Sequence, residues 1–203
     1  MKIKKLQFSS LALFISAIVL SFGYFLLNKP IGNLHSLATT FDNSIPLIPY
    51  FSVPYLLFLP LFWLVFTYAF IKGLKFQQLA LTTIFVTVVS YLFYYFYQTV
   101  VFRPDTITTG FGSDLIRLIY RSDKPYNDFP SLHTSLALVF GMYVYKIKSR
   151  WSIVANIFII LVILSTLFTK QHYIADVLAG LGLALVSNFT ANRIVKSSTE
   201  TNL

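Results

Sequence analysis

The sequence predicts an all-α fold, a polytopic membrane protein built as a bundle of six transmembrane helices. Hydrophobic residues make up 56% of the 203 positions. Charged residues make up 11%, against about 25% in a soluble domain. The apolar residues also gather into runs of the length a bilayer demands, since a ~30 Å hydrocarbon core takes roughly 20 residues of helix.

The runs place six spans: Phe8 to Leu27, Val53 to Ile71, Leu79 to Phe102, Ser131 to Tyr145, Trp151 to Phe168 and Tyr173 to Phe189. Together they read as a single membrane domain over residues 1–203. The first span carries Lys2, Lys4 and Lys5 ahead of it, as a signal peptide would. Its uncharged run is longer than the usual h-region and no A-x-A site follows, so it is read as a retained helix. The second contains Pro54 and Pro60, with Pro46 and Pro49 just before it, which predicts a kinked start.

The third span is expected to close at Arg103-Pro104, leaving the arginine at the water boundary. Beyond it lies the one substantial hydrophilic connection, running to Pro130. Within that connection Ser113 to Tyr120 is expected to form a short helix on the membrane, with Leu115, Ile116, Leu118 and Ile119 facing lipid. The fourth span is short and has His133 in its first turn, so it should begin at the interface. In the sixth, Gly180, Gly182 and Ala184 form a small-residue face for close packing. Residues 196–203 read as a frayed, disordered tail, and His35 as a loop residue with no partner nearby.

The net charge of +9 does not indicate nucleic acid, because the basic residues lie in short clusters between apolar segments. They report topology instead. With the N-terminus cytoplasmic, ten Lys and Arg fall on inner segments and six on outer ones, which favours both termini inside a cell membrane. Six of the seven acidic residues then lie outside, together with His133 and His172. The absence of Cys removes disulfides and thiolate metal sites, and three His with scattered acids argue against a metal cage. No cofactor and no metal are expected.

Three elements carry chemistry. His172 and Asp176 are spaced to share one helical face, where the carboxylate holds one imidazole nitrogen and leaves the other free. An acid within a span costs about 2.5–3.5 kcal/mol on insertion scales and usually marks function. In Pro130-Ser131-Leu132-His133, proline suits the first helical position, and the amides of Ser131, Leu132 and His133 would then be free to bind phosphate. The Ser131 hydroxyl adds a donor, and a protonated His133 can give its proton to a departing oxygen. Arg103 offers a bidentate fork for phosphate oxygens. Each element alone also has a plain structural reading: a satisfied histidine, an ordinary helix start, a headgroup anchor.

In order and spacing, Arg103-Pro104, Pro130-Ser131-Leu132-His133 and Ser165 through His172 to Asp176 resemble the type 2 phosphatidic acid phosphatase superfamily, over about residues 79–189. The three signatures of that family are Lys-(x6)-Arg-Pro, Pro-Ser-Gly-His and Ser-Arg-(x5)-His-(x3)-Asp. The resemblance implies six membrane helices and a metal-independent reaction. It makes His172 the nucleophile that takes the phosphoryl group, Asp176 its orienting partner and His133 the acid for the leaving group. Arg103 and Ser131 would hold phosphate oxygens.

Phe96 stands at the signature lysine, Thr166 at the signature arginine and Leu132 at the glycine. Lys170 is assigned one of the missing charges, and Arg117, Arg121 or Lys124 another. The wording Phe-Pro-Ser-Leu-His is similar to the branch containing inositol phosphorylceramide synthases. The expected activity is hydrolysis of a membrane lipid phosphate or diphosphate at the extracytoplasmic face through a phosphohistidine. Transfer of a phospho headgroup to an alcohol such as inositol is the alternative. A transporter or interaction protein that keeps the fold without the chemistry is the third reading.

Overall fold

A computed structural model describes residues 2–148 and 150–200. Among them the chain is helical and forms no strand: α1 (Lys2–Leu27), α2 (Thr40–Ser44), α3 (Ser52–Lys72), α4 (Phe76–Phe96), α5 (Phe111–Ser122), α6 (Leu132–Lys146), α7 (Ser152–Phe168) and α8 (Ile174–Glu200). Six of these correspond to the six predicted spans. Four are long and apolar enough to cross a membrane by themselves: Ser10–Leu27, Pro49–Lys72, Phe76–Phe96 and Ile174–Ser198. The protein is therefore a membrane protein. The 15-residue α6 and 17-residue α7 are shorter. Helix α6 tolerates this because it lies inside the bundle, packed on α4, α7 and α8, where protein replaces lipid as its solvent.

The core is aromatic. Phe58, Phe62 and Phe66, spaced at one-turn intervals on α3, are fully buried. Phe14 of α1 stacks on Phe66 and Phe70 with centroids 5.8 and 4.4 Å apart, pinning α1 to the far end of α3. At the other end of the bundle Asp123 ties the end of α1 to α3: it accepts hydrogen bonds from Tyr24 Oη and Asn28 Nδ2, each at 2.7 Å, and from Tyr55 Oη at 3.3 Å.

Several boundaries differ from expectation, each for a physical reason. Helix α4 stops at Phe96, so Arg103 does not close it. The segment after Phe96 turns to pair with the first loop: His35 N–H donates to the Gln98 carbonyl at 3.0 Å, and Val100 N–H to the His35 carbonyl at 2.9 Å. Gln98 Nε2 also donates to the Leu27 and Lys29 carbonyls. His35 is thus partnered, and its ring stacks on Tyr97 at 4.4 Å. Helix α5 does not lay Ile116 and Ile119 on lipid; both are buried against the protein, while Leu118 stays exposed. Helix α8 runs on to Glu200, so residues 196–200 are helical rather than frayed; 201–203 lie outside the described residues.

The small-residue face of α8 serves one close crossing. A Cβ on Gly180 would stand 2.6 Å from the Ser131 carbonyl oxygen, and Ser135 Oγ bridges that carbonyl and the Gly180 carbonyl at 2.8 and 2.9 Å. Ala184 is fully buried on the same face, whereas Gly182 is exposed.

Candidate active site

His172 precedes α8 rather than riding on it, which corrects the expectation of a shared helical face. The turn after α7 folds back so that the Thr166 carbonyl accepts from both Gln171 N–H and His172 N–H, at 3.0 and 3.1 Å. Helix α8 then begins, and Asp176 lies in its first turn. The Asp176 carboxylate reaches back to cap that turn, Oδ2 accepting from Tyr173 N–H at 2.7 Å. The same oxygen stands 3.6 Å from His172 Nδ1, with His172 7% and Asp176 0% exposed. That contact is electrostatic, since 3.6 Å exceeds hydrogen-bond length. Closing it by ~0.7 Å makes a hydrogen bond that fixes Nδ1 as the protonated nitrogen and Nε2 as the free one.

His133 approaches from α6. Its ring is sandwiched in aromatic surface, stacked on Tyr55 at 4.2 Å and tilted against Phe58 at 5.9 Å. The start of α6 differs from expectation: Pro130 is not its first helical residue, since Ser131 is the cap and the helix begins at Leu132. Ser131 Oγ accepts from Thr134 N–H at 3.3 Å and donates to Thr134 Oγ1 at 3.0 Å, and the residue is fully buried. Its own N–H is not free either, because it donates to the Asp176 carbonyl at 3.0 Å. Ser131 therefore joins the two histidine-bearing segments from behind.

Arg103 lies beside the His172 turn. Nη2 donates to Gln171 Oε1 and Nη1 to the Asp123 carbonyl, each at 2.8 Å, and the guanidinium sits 4.5 Å over the Tyr120 ring. Its Nε is buried with no hydrogen-bond partner among the described residues. The other cations assigned from sequence point elsewhere. Lys170 Nζ donates to the Asp42 carbonyl at 3.0 Å. Arg117 pairs with Asp114 at 2.7 Å. Arg121 and Lys124 are exposed, and Phe96, at the signature lysine, is 77% exposed on the outside of α4.

His133 and His172 share one cavity of about 490 Å³. Its polar end also holds Asp123, Asn127, Tyr24, Tyr55 and Ser122. Its apolar part is lined by Ser21 of α1 and by Leu59, Pro60 and Trp63 of α3, and reaches Thr83 and Thr87 of α4. Trp63 stands roughly 16 Å along α3 from that helix's first residue. None of the lining residues is a Lys or Arg. Sequence reasoning missed Asp123, Asn127 and Tyr55; the only available signal was that two of them sit in the long polar connection.

Two carboxyls outside the spans are displaced from ordinary behaviour. Burial, then the nearby charge of Asp176, pushes Asp128 well above the usual carboxylate range. Asp42 goes the other way: burial alone would raise it, but hydrogen bonds from Thr39 and the Ile174 amide, with the charge of Lys170, outweigh that and hold it low.

Fold and site together define a helical membrane protein with two histidines, one backed by a carboxylate, on a cavity at the end of the bundle. A family model for the PAP2 superfamily matches residues 75–200, and the chain belongs to that superfamily. Membership places it among phosphatases and phosphotransferases. No curated protein and no solved structure shows a significant match to it.

Proposed function

We propose that the protein is an integral-membrane phosphatase that hydrolyses a lipid phosphate or diphosphate at the extracytoplasmic face of the cell membrane. The observation that carries this reading is the single cavity that holds both histidines at its polar end and runs down between apolar helices. A phosphate at the histidines leaves its hydrocarbon in the lower part, lined by Leu59, Pro60 and Trp63 of α3 with Thr83 and Thr87 of α4. The charge bias supports this face, since it favours an inside N-terminus with the starts of α6 and α8 outside.

In the first step His172 Nε2 attacks phosphorus, the bond between phosphorus and the leaving oxygen breaks, and His133 protonates that oxygen. Asp176 balances the charge left on the His172 ring. In the second step water attacks the phosphohistidine, His133 accepts its proton, the N–P bond breaks and inorganic phosphate departs. Arg103 keeps its assignment to phosphate oxygens from the family resemblance; it does not line the cavity, and its Nε is the one guanidinium nitrogen without a partner among the described residues. Ser131 and Lys170 support the geometry through the contacts described above.

Transfer to an alcohol instead of water is favoured by one observation. Asp123 presents a carboxylate to the cavity, already accepting from hydroxyls of Tyr24 and Tyr55, and such a wall suits a hydroxyl-bearing acceptor better than an anion.

A panel of lipid phosphates and diphosphates, scored for free phosphate and for new lipid products, tests both. Phosphate release that disappears in His172→Ala supports hydrolysis. New phospholipid with little free phosphate, on adding inositol or another polyol, would replace it by transfer. Unchanged release in His172→Ala would reject the assignment of the nucleophile.

A further inference from the structure

The turn that carries His172 is held from outside the matched residues 75–200. Asp42 lies in the first loop, in α2, and is 4% exposed. Its carboxylate is divided between two tasks. Oδ2 accepts from Thr39 N–H at 2.8 Å and from Thr39 Oγ1 at 2.6 Å, closing the capping box of α2. Oδ1 accepts from Ile174 N–H at 2.8 Å, at the first residue of α8. The carbonyl of the same residue accepts from Lys170 Nζ at 3.0 Å.

Lys170 and Ile174 stand symmetrically about His172, two positions to either side. One residue of the first loop therefore grips both ends of the segment whose middle is the proposed nucleophile. That segment needs such a grip. Lys170 sits in left-handed backbone at φ 54°, a conformation an L-residue holds only where its surroundings impose it. A further tie comes from the same loop, where Ile48 N–H donates to the Phe168 carbonyl at 2.9 Å, and another from Tyr120 of α5, whose Oη donates to the Thr169 carbonyl at 2.9 Å.

We propose that Asp42 is a positioning residue for His172, clamping the segment from Lys170 to Ile174 so that the imidazole stays between Asp176 and the cavity. The proposal rests on the phosphatase reading for its kinetic consequence, but its geometric consequence is independent of any substrate. Asp42 touches no reacting atom. It acts through the backbone of Ile174 and the side chain of Lys170, and a misplacement of about 1 Å at a reacting group costs on the order of 10²-fold in rate.

The test uses the full-length protein in detergent micelles containing dioleoyl phosphatidic acid, comparing wild type with Asp42→Ala, Asp42→Asn and Ile174→Pro. Proline is suited to the first helical position and removes the amide that Asp42 accepts from, together with the Ile174 side chain. Phosphate release gives kcat and KM. Diethyl pyrocarbonate labelling, followed by mass spectrometry, gives the separate reactivities of His172, His133 and the exposed His35. Asp42→Ala is expected to lower kcat by roughly 10- to 100-fold with KM within about twofold. His172 labelling rises about fivefold as the segment opens locally, while His133 and His35 keep their rates. Asp42→Asn, which retains an acceptor for Ile174, falls between, and Ile174→Pro follows Asp42→Ala.

Unchanged kcat and unchanged His172 labelling in folded variants would overturn the clamp. So would a joint rise in His172 and His133 labelling with a lower melting temperature, which marks general loosening. A wild type that releases no phosphate rejects the phosphatase reading for this lipid, and the labelling ratio then decides the clamp alone.

Discussion

Ser131 donates its backbone N–H to the carbonyl oxygen of Asp176 at 3.0 Å. The cap of the His133 helix is thereby bonded to the residue that backs His172, and the separation of the two imidazoles is set by this crossing. Gly180, one turn further along α8, permits the approach. Gly180→Ala puts a methyl 2.6 Å from the Ser131 carbonyl. It is expected to destabilise the protein by about 1–3 kcal/mol, the usual cost of overpacking. Thermal unfolding and kcat, measured together, should both fall; a variant with wild-type values in each would show that the crossing has slack.

Asp176 serves two ends, and Asn separates them. The amide oxygen of Asp176→Asn still accepts from Tyr173 N–H and keeps the cap, but the charge beside His172 Nδ1 is gone. The expected result is a loss in kcat on the order of 10²–10⁴-fold with little change in melting temperature. A matching loss of stability would assign Asp176 to the cap alone.

Tyr55 joins His133 to Asp123, stacking on the first and donating to the second. Tyr55→Phe keeps the stack, whereas Tyr55→Leu removes it. An aromatic pair is worth about 0.5–1.5 kcal/mol, so phosphate release should fall by up to roughly tenfold in Tyr55→Leu and less than about threefold in Tyr55→Phe. Equal losses in the two variants would mean that the hydroxyl, not the ring, matters.

Burial, then the neighbouring charge of Asp176, favours the protonated form of Asp128 more in the folded chain than in the unfolded one. Its folded pKa lies above its unfolded value, so folding is helped at low pH and that help is lost as pH rises from the unfolded pKa through the folded one. Asp128→Asn removes the ionisation. Its melting temperature should exceed that of wild type by a few degrees at neutral pH, with the gap closing toward the ordinary carboxyl value of 3.8. A gap independent of pH would rule out the carboxyl as its cause.

The helices were legible because hydropathy reports burial in lipid directly, and the proximity of His172 to Asp176 because four residues of chain cannot carry them far apart. The manner of that proximity was not legible, since it depends on a turn closed by the Thr166 carbonyl. Arg103 was misplaced for a similar reason. Apolar composition continues through Val100, Val101 and Phe102, but Gln98 and His35 draw that stretch into a loop pairing, and nothing local to it announces a partner so distant in sequence. Lys170 looked like a free cation because its acceptor, the Asp42 carbonyl, belongs to a loop that carries no motif. Asp123 went unassigned although it is the junction of α1, α3 and the cavity, because its role exists only after those helices converge.

Helices α1 and α3 meet through Phe14 near one end and are parted by the cavity near the other, with Phe25 66% exposed at its side. Under the phosphatase reading, a cavity walled by these two helices draws its substrate from a two-dimensional solution. Its occupancy under the phosphatase reading follows the mole fraction of substrate among the surrounding lipids, not the amount per volume of buffer. Adding inert phospholipid at constant bulk substrate should therefore slow turnover, whereas concentrating the same vesicles should leave the rate per protein molecule unchanged.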